Sequence, residues 1–312
     1  MKRELPARCI TASLLFAATI ACAIDAHAQD RFKAVRLTSD PALEGFATWS
    51  PDGASIVYSR IAERDSCEKT GLWRVSPDGS RSAQVFSGLA EHPQWSPDGR
   101  HIVFDADSGK SIKIIPAKGG TPTGVVPDTM QIKDGGTPCW SPDGSQIAFL
   151  ERGTMSLCVA SLKTGQVARI FQKEGMMPIP GCWSRDGGGI LVALMDRQTR
   201  KSTLWEISSD GREKKRIPGH HEGLYRHLAL SPDGSLLVYA ALEGRYLGLW
   251  IMPAKGGRSI PFVVSHPGHN ESASWSPDGR RLAFTSTRSG NFDIWMMDVD
   301  VELIQQELKA LN

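Results

Sequence analysis

The sequence predicts an all-β fold, a six-bladed β-propeller closed by an N-terminal strand and followed by a short C-terminal helix. Three observations predict it. Trp-Ser-Pro-Asp-Gly stands at Trp49, Trp95, Trp140 and Trp275, recurs with Arg185 for Pro at Trp183, and with Leu230 in the Trp place. The steps between these six copies are 46, 45, 43, 47 and 45 residues, a fixed period that marks a repeat architecture. Around each copy the residues alternate with period two, as half-buried strands do, and the two ends of the repeat region complement one another.

The phrase itself is a turn. Pro pre-sets the second turn position, Asp tolerates the third, and Gly takes the left-handed conformation that closes it. A returning strand follows, with Ile56, Ile102, Ile147, Ile190, Leu237 or Leu282 seven residues after the Trp place. Two residues further on stands Tyr58, Phe104, Phe149, Val192, Tyr239 or Phe284. A third strand reads Leu72-Trp73, Leu204-Trp205, Leu249-Trp250 and Ile294-Trp295, with Lys113 and Cys158 in the Trp place of repeats two and three. A second turn glycine comes next, at Gly79, Gly119, Gly165, Gly211 or Gly256, and then a short fourth strand such as Ala83–Phe86 or Ala168–Phe171. Four strands in about 45 residues make a propeller blade.

The sixth repeat has Val301 where a second turn glycine would stand, and residues 301–308 read as helix, so the last blade lacks a fourth strand of its own. Residues 32–38, Phe-Lys-Ala-Val-Arg-Leu-Thr, supply a matching strand ahead of the first repeat. Pairing it beside Ile294–Met297 closes the ring and removes the exposed sheet edges.

The W-S-P-D-G phrase, the I-x-F strand and the I-W strand resemble the propeller repeats of the TolB family and of the non-catalytic domains of prolyl-oligopeptidase-type peptidases, over residues 32–300. That resemblance is specific for fold and less so for function, since propellers host many unrelated sites. It implies recognition of a peptidoglycan-associated lipoprotein through the channel-mouth face, as TolB propellers do. The segment from His266 to Glu271 is similar to that family's lead-in segments. TolB also carries an N-terminal α/β domain for which no room is expected here, so the expectation is a TolB-like binding module and not the Tol component itself.

Residues 1–28 read as a secretory signal peptide: Lys2, Arg3 and Arg8, an apolar run from Ile10 to Ile24, and Ala26-His27-Ala28 as the cleavage site. Lipidation at Cys22 is the alternative, but Thr19 sits where a large aliphatic residue would be wanted. The expected organisation is therefore signal 1–28, propeller 29–300 and helical tail 301–312, in an exported, periplasmic or secreted chain. With a formal charge of +2 and no basic stripe, a nucleic-acid partner is not expected. Neither is a membrane span, and the chain is expected to be a monomer.

Four cysteines lie beyond the signal. Cys139 and Cys182 hold the same register in neighbouring blades, Cys158 replaces a packing Trp, and Cys67 lies in a long connection, so no disulfide framework is expected. The turn aspartates read as structural, and Asp105-Ala106-Asp107-Ser108-Gly109 as a polar turn, because the bidentate Glu of a calcium loop is missing. No metal or cofactor is expected.

Histidines are the unevenly placed chemical feature. His92, His220, His221, His227, His266 and His269 all lie in segments leading into the innermost strands, and only His101 lies elsewhere among those beyond the signal. The expected binding site is the channel mouth, with His92, Arg226, His227, His269, Asn270 and Glu271, and an envelope protein or peptide as partner. Affinity is expected to shift between roughly pH 5.5 and 7.5, where histidine titrates. Catalysis is not expected. No G-x-S-x-G elbow occurs, and the residues after Trp275 are too few for a hydrolase domain. The alternative is a small lyase- or lactonase-type propeller enzyme built on Glu91, Arg226, His227 and Glu271.

Overall fold

The computed structural model describes residues 33–62, 68–126, 134–219, 225–264 and 268–311. The signal segment, Cys67, His220, His221 and His266 lie outside the described residues. Six four-stranded antiparallel sheets form the body. The first strand, β1 (Ala34–Arg36), belongs to the last blade. Blade 1 is β2 (Leu43–Trp49), β3 (Ile56–Ile61), β4 (Gly71–Val75) and β5 (Ser82–Ser87). Blade 2 is β6 (Ala90–Trp95), β7 (His101–Ala106), β8 (Ser111–Pro116) and the short β9 (Thr123–Gly124). Blade 3 is β10 (Gly135–Trp140), β11 (Gln146–Glu151), β12 (Ser156–Ser161) and β13 (Val167–Gln172). Blade 4 is β14 (Met176–Trp183), β15 (Gly189–Asp196), β16 (Ser202–Ser208) and β17 (Lys214–Ile217). Blade 5 is β18 (Arg226–Leu230), β19 (Leu236–Glu243), β20 (Tyr246–Pro253) and β21 (Ile260–Val263). Blade 6 is β22 (Asn270–Trp275), β23 (Arg281–Ser286) and β24 (Asp293–Asp298), with β1 as its outer strand. Each innermost strand touches the next, and β22 touches β2, so the ring closes.

The repeated turn is held by its own side chains. In all six copies the Ser hydroxyl donates to the Asp carboxylate at 2.5–2.6 Å. The same carboxylate accepts the N–H two residues on, and the Ser oxygen accepts the N–H five residues on. These bonds favour the charged form, so the Ser141 and Ser145 hydroxyls hold Asp143 down at about 2. The closing glycines, Gly53 to Gly279, all have φ between 69° and 75°, where a β-carbon would be strained.

The turn tryptophans fill the wedge between blades. Trp140, Trp183 and Trp275 donate their indole N–H to backbone carbonyls of the preceding blade, at Gln94, Cys139 and Ala229. The full 45-residue period is therefore visible as a bond, one blade tied to the next. At the seam, Val35 faces Met296 across the β1–β24 ladder, and Leu37 N–H donates to the Ile294 carbonyl. The helix α1 (Val301–Ala310) is capped by Asp300, whose carboxylate accepts the Leu303 N–H, and it buries Ile304 and Leu308 against blades 5 and 6.

Cys139, Cys158 and Cys182 are free thiols. Burial pushes Cys158 and Cys182 up to about 12, so both are inert at neutral pH. No helix among the described residues is long and apolar enough to cross a membrane.

Candidate functional site

The innermost strands carry the site through a shared irregularity. Their pairing with the second strand slips at Gly45/Thr48, Glu91/Gln94, Gly136/Cys139, Arg226/Ala229 and Glu271/Ser274. Each slip is a bulge, and the residue three before the Trp place sits in it with positive φ: Phe46 57°, His92 50°, Thr137 49°, His227 51° and Ser272 54°. Blade 4 has Pro180 at this place, where the ring forbids positive φ, and its slip moves to Pro180/Cys182 across Gly181. A non-glycine residue held at positive φ costs on the order of 1–3 kcal/mol and persists only where the surroundings enforce it. Five such residues at one level of one channel form a built feature.

All six bulge-level residues line a central cavity of about 590 Å³. Phe46 packs on His92 with ring centroids 4.0 Å apart and lies 5.6 Å from His227; the two imidazoles stack at 6.3 Å. Blades 1, 2 and 5 thus meet ring to ring across the channel. Each histidine has a carboxylate behind it. His92 Nδ1 lies 3.1 Å from Asp105 Oδ1, and the Arg152 guanidinium donates to Asp105 Oδ2 at 3.3 Å. His227 Nε2 lies 3.4 Å from Glu271 Oε2.

The two imidazoles are tuned in opposite directions. Burial disfavours the charged form of His92, but the charge and hydrogen bond of Asp105, with Glu91 beyond, outweigh it and set its pKa above the ordinary value. For His227 burial prevails over the Glu271 hydrogen bond, and its pKa lies below the ordinary value. Glu271 stays ionised: burial raises it, but the His227 hydrogen bond and the nearby Arg226 charge pull it lower.

Four of the six expected residues, His92, Arg226, His227 and Glu271, line the cavity. His92 and His227 do so as residues within strands, not in lead-in loops. Two do not reach it. His269 accepts the Leu247 N–H at Nδ1 and stands edge-on to Tyr246, 5.5 Å away, so it ties blade 6 to blade 5. Asn270 is fully buried and accepts from Ser286 and Arg288. The sequence reading missed Phe46, Asp105 and Arg152. A signal for Phe46 was present: aligning the repeats at three residues before the Trp place gives Phe46, His92, Thr137, Pro180, His227 and Ser272 in one column.

Donor atoms of Glu91, His92 and Asp105 lie within 4.8 Å of one another, as a metal site would need. Asp105 is already shared between His92 and the Arg152 guanidinium, which repels a cation at the same oxygen. That arrangement fits a proton better than a metal. A second cleft, about 660 Å³, lies at the turn phrases of blades 5 and 6 beside the helix start. Its Asp233 and Asp278 are tied to Ser231 and Ser276, and no histidine lines it.

A closed ring of six blades with a histidine-lined channel defines the class, a six-bladed propeller with a channel site. Within that class the fold is TolB-like. The structure superposes on a protein of Agrobacterium tumefaciens described as TolB with a TM-score of 0.64 and 21% identity, covering 85% of this chain and 93% of that one. An oligogalacturonate lyase of Vibrio parahaemolyticus gives 0.60 and 13% over 88% and 96%. A gluconolactonase of Xanthomonas campestris gives 0.66 and 12% over 86% and 90%. At these identities the likeness is one of fold alone. No family model matches the sequence. A WD repeat-containing protein 26 homolog of Arabidopsis thaliana is 32% identical over 75 residues, 24% of this chain, and the match spans only 12% of that relative's length.

Proposed function

We propose that the chain is a non-catalytic binding module of the cell envelope, exported by its N-terminal segment, which receives a protein or peptide partner at the channel. The observation that carries this reading is the contact of Phe46 with both His92 and His227. The Phe46 ring packs beside both imidazoles and lines the room next to the two histidine–carboxylate pairs with an apolar face. What remains is a rigid, partly apolar cup with a few oriented polar groups, the usual form of a recognition site. Buried bulges fix those groups at a cost in strain that a passive channel would have no reason to bear.

The decisive variant is His227→Asn. Asn tolerates positive φ and does not titrate, and its shorter amide does not reach the Glu271 oxygen that Nε2 faces. Retention of an envelope partner from extract should fall about tenfold with a nearly unchanged melting temperature, a loss of roughly 1.4 kcal/mol. Loss of retention on changing Arg100 and Arg280, on the turn face, with His227→Asn silent, would move the site to the other side of the ring.

A second reading, a small propeller enzyme, draws on the two histidine–carboxylate pairs and on the lyase and gluconolactonase neighbours. Under it His227 and Glu271 would handle protons. No turnover is expected on ester, lactone, glycoside or peptide libraries, with or without divalent metals. Turnover abolished by His227→Asn or Glu271→Gln would replace the binding reading with this one.

A further inference from the structure

Resting on the channel-binding reading, we propose that the group the channel recognises is a carboxylate, engaged by Arg226 beside His227. The charges that face the cavity carry the proposal. Its lining includes two guanidinium groups, Arg152 and Arg226, both histidines, and one carboxylate, Glu271. Two further carboxylates at this level, Asp105 and Glu91, are buried beside His92, and Asp105 is shared with Arg152. Glu271 is engaged with His227. The charges of Asp105 and Glu271 are thereby held in internal pairs.

Arg226 is placed differently. Among the described residues it forms no ion pair, although it is near enough for its charge to act on both Glu271 and His227. It stands immediately before the bulge that tips His227 inward, so the strand fixes both side chains at one point of the channel. A planar guanidinium beside an imidazole is suited to a two-oxygen anion, which accepts paired N–H bonds. The walls around it are apolar, with Met177, Ile179, Leu228 and Leu230. That favours a carboxylate on a carbon chain over a fully hydrated inorganic anion. A cavity near 590 Å³ takes a short segment or a small acid and not a folded domain.

The histidines give the sign of the pH dependence. His227 faces Glu271, Arg226 and His92; His92 faces Asp105, Glu91 and Arg152. Both gain positive charge as pH falls, so carboxylate affinity should rise as pH falls and should drop towards pH 8.

Calorimetric titration of the intact chain tests this with four probes: C-terminally amidated tetraglutamate, tetraglutamine of the same form, D-galacturonate and D-galactose. At about pH 6 a carboxylate probe should bind at least about tenfold more tightly than its neutral counterpart, as one charge-assisted pair implies. Arg226→Gln should remove that difference, and Arg226→Lys should restore part of it, with melting temperatures unchanged. Binding by tetraglutamate and not by galacturonate assigns the carboxylate to a polypeptide; the reverse assigns it to a free acid. Equal binding of charged and neutral probes, no binding of either acid, or an Arg226→Gln variant that binds like the parent overturns the proposal. If tetraglutamine binds as well as tetraglutamate and His227→Asn abolishes both, the channel-binding reading stands while the carboxylate assignment falls.

Discussion

A chain beginning at Ser39 is expected to lose several kcal/mol of stability and to melt on the order of 10 °C or more below the full chain. The deletion removes the outer strand of blade 6, with the Leu37 N–H bond to Ile294 and the Thr38 hydroxyl that accepts the Ile294 N–H. It also removes Ala34 and Leu37 from the cores of blades 6 and 1. An ion pair is lost as well. Arg36 Nη2 lies 2.9 Å from Asp293 Oδ2, and Asp293 has no exposed surface. Arg36 is a third exposed and Asp293 keeps the Ser289 hydroxyl, so solvent screens the lost pair and its removal costs about 1 kcal/mol. Lost backbone bonds add about 1 kcal/mol each, and the exposed edge of β24 invites association. Thermal melts with light scattering read both effects. A truncated chain that melts within about 2 °C of the parent would show that the ring holds without its closing strand.

Glu44→Gln is expected to stabilise the protein at pH 8 and to leave it nearly unchanged at pH 4.5. Glu44 sits on the innermost strand of blade 1, at the same seam, with 2% of its surface exposed. Its carboxylate oxygens make no close hydrogen bond among the described residues; the Thr38 hydroxyl lies nearby and the Arg60 guanidinium comes within 3.7 Å. Burial, with the charges of Asp40 and Asp293, raises its pKa from 4.5 to about 8. An acid raised in the folded state binds its proton more tightly there than in the unfolded chain. Its contribution is therefore most favourable below pH 4.5, and stability falls as pH rises through the window from 4.5 to 8. The full swing is bounded near 5 kcal/mol, and relaxation at the seam brings it to about 2–4 kcal/mol. Gln keeps the shape and cannot ionise. Melting temperatures of the two chains should converge at low pH and separate towards pH 8. Parallel curves across that range would show that Glu44 does not control the seam.

Both predictions concern one junction, and the sequence made only half of it legible. The unmatched strand 32–38 could be paired with blade 6 by elimination, since the sixth repeat has one strand too few. That the closure would bring Glu44, Asp293, Arg36 and Arg60 together could not be read, because these residues come from opposite ends of the chain.

The same division runs through the site. The repeat period determined six blades, and the turn phrase determined its own conformation, because Ser, Pro, Asp and Gly act on neighbours within five residues. Strand alternation determined the blade cores, from Ile56 and Tyr58 to Leu282 and Phe284. The channel was decided otherwise. A bulge inserts one residue and reverses the alternation beyond it, so period-two reading loses track of which side chain points inward. His269 therefore ties blade 6 to blade 5 and Asn270 is bonded within blade 6, while Ser272, a few residues on, lines the channel. Asp105, expected in a polar turn, becomes the partner of His92, and Arg152, which the sequence does not single out, reaches Asp105 because the ring sets blade 3 beside blade 2. Local chemistry fixes turns and strands over a few residues. Which imidazole meets which carboxylate depends on closing six copies around an axis, and that is a property of the whole ring.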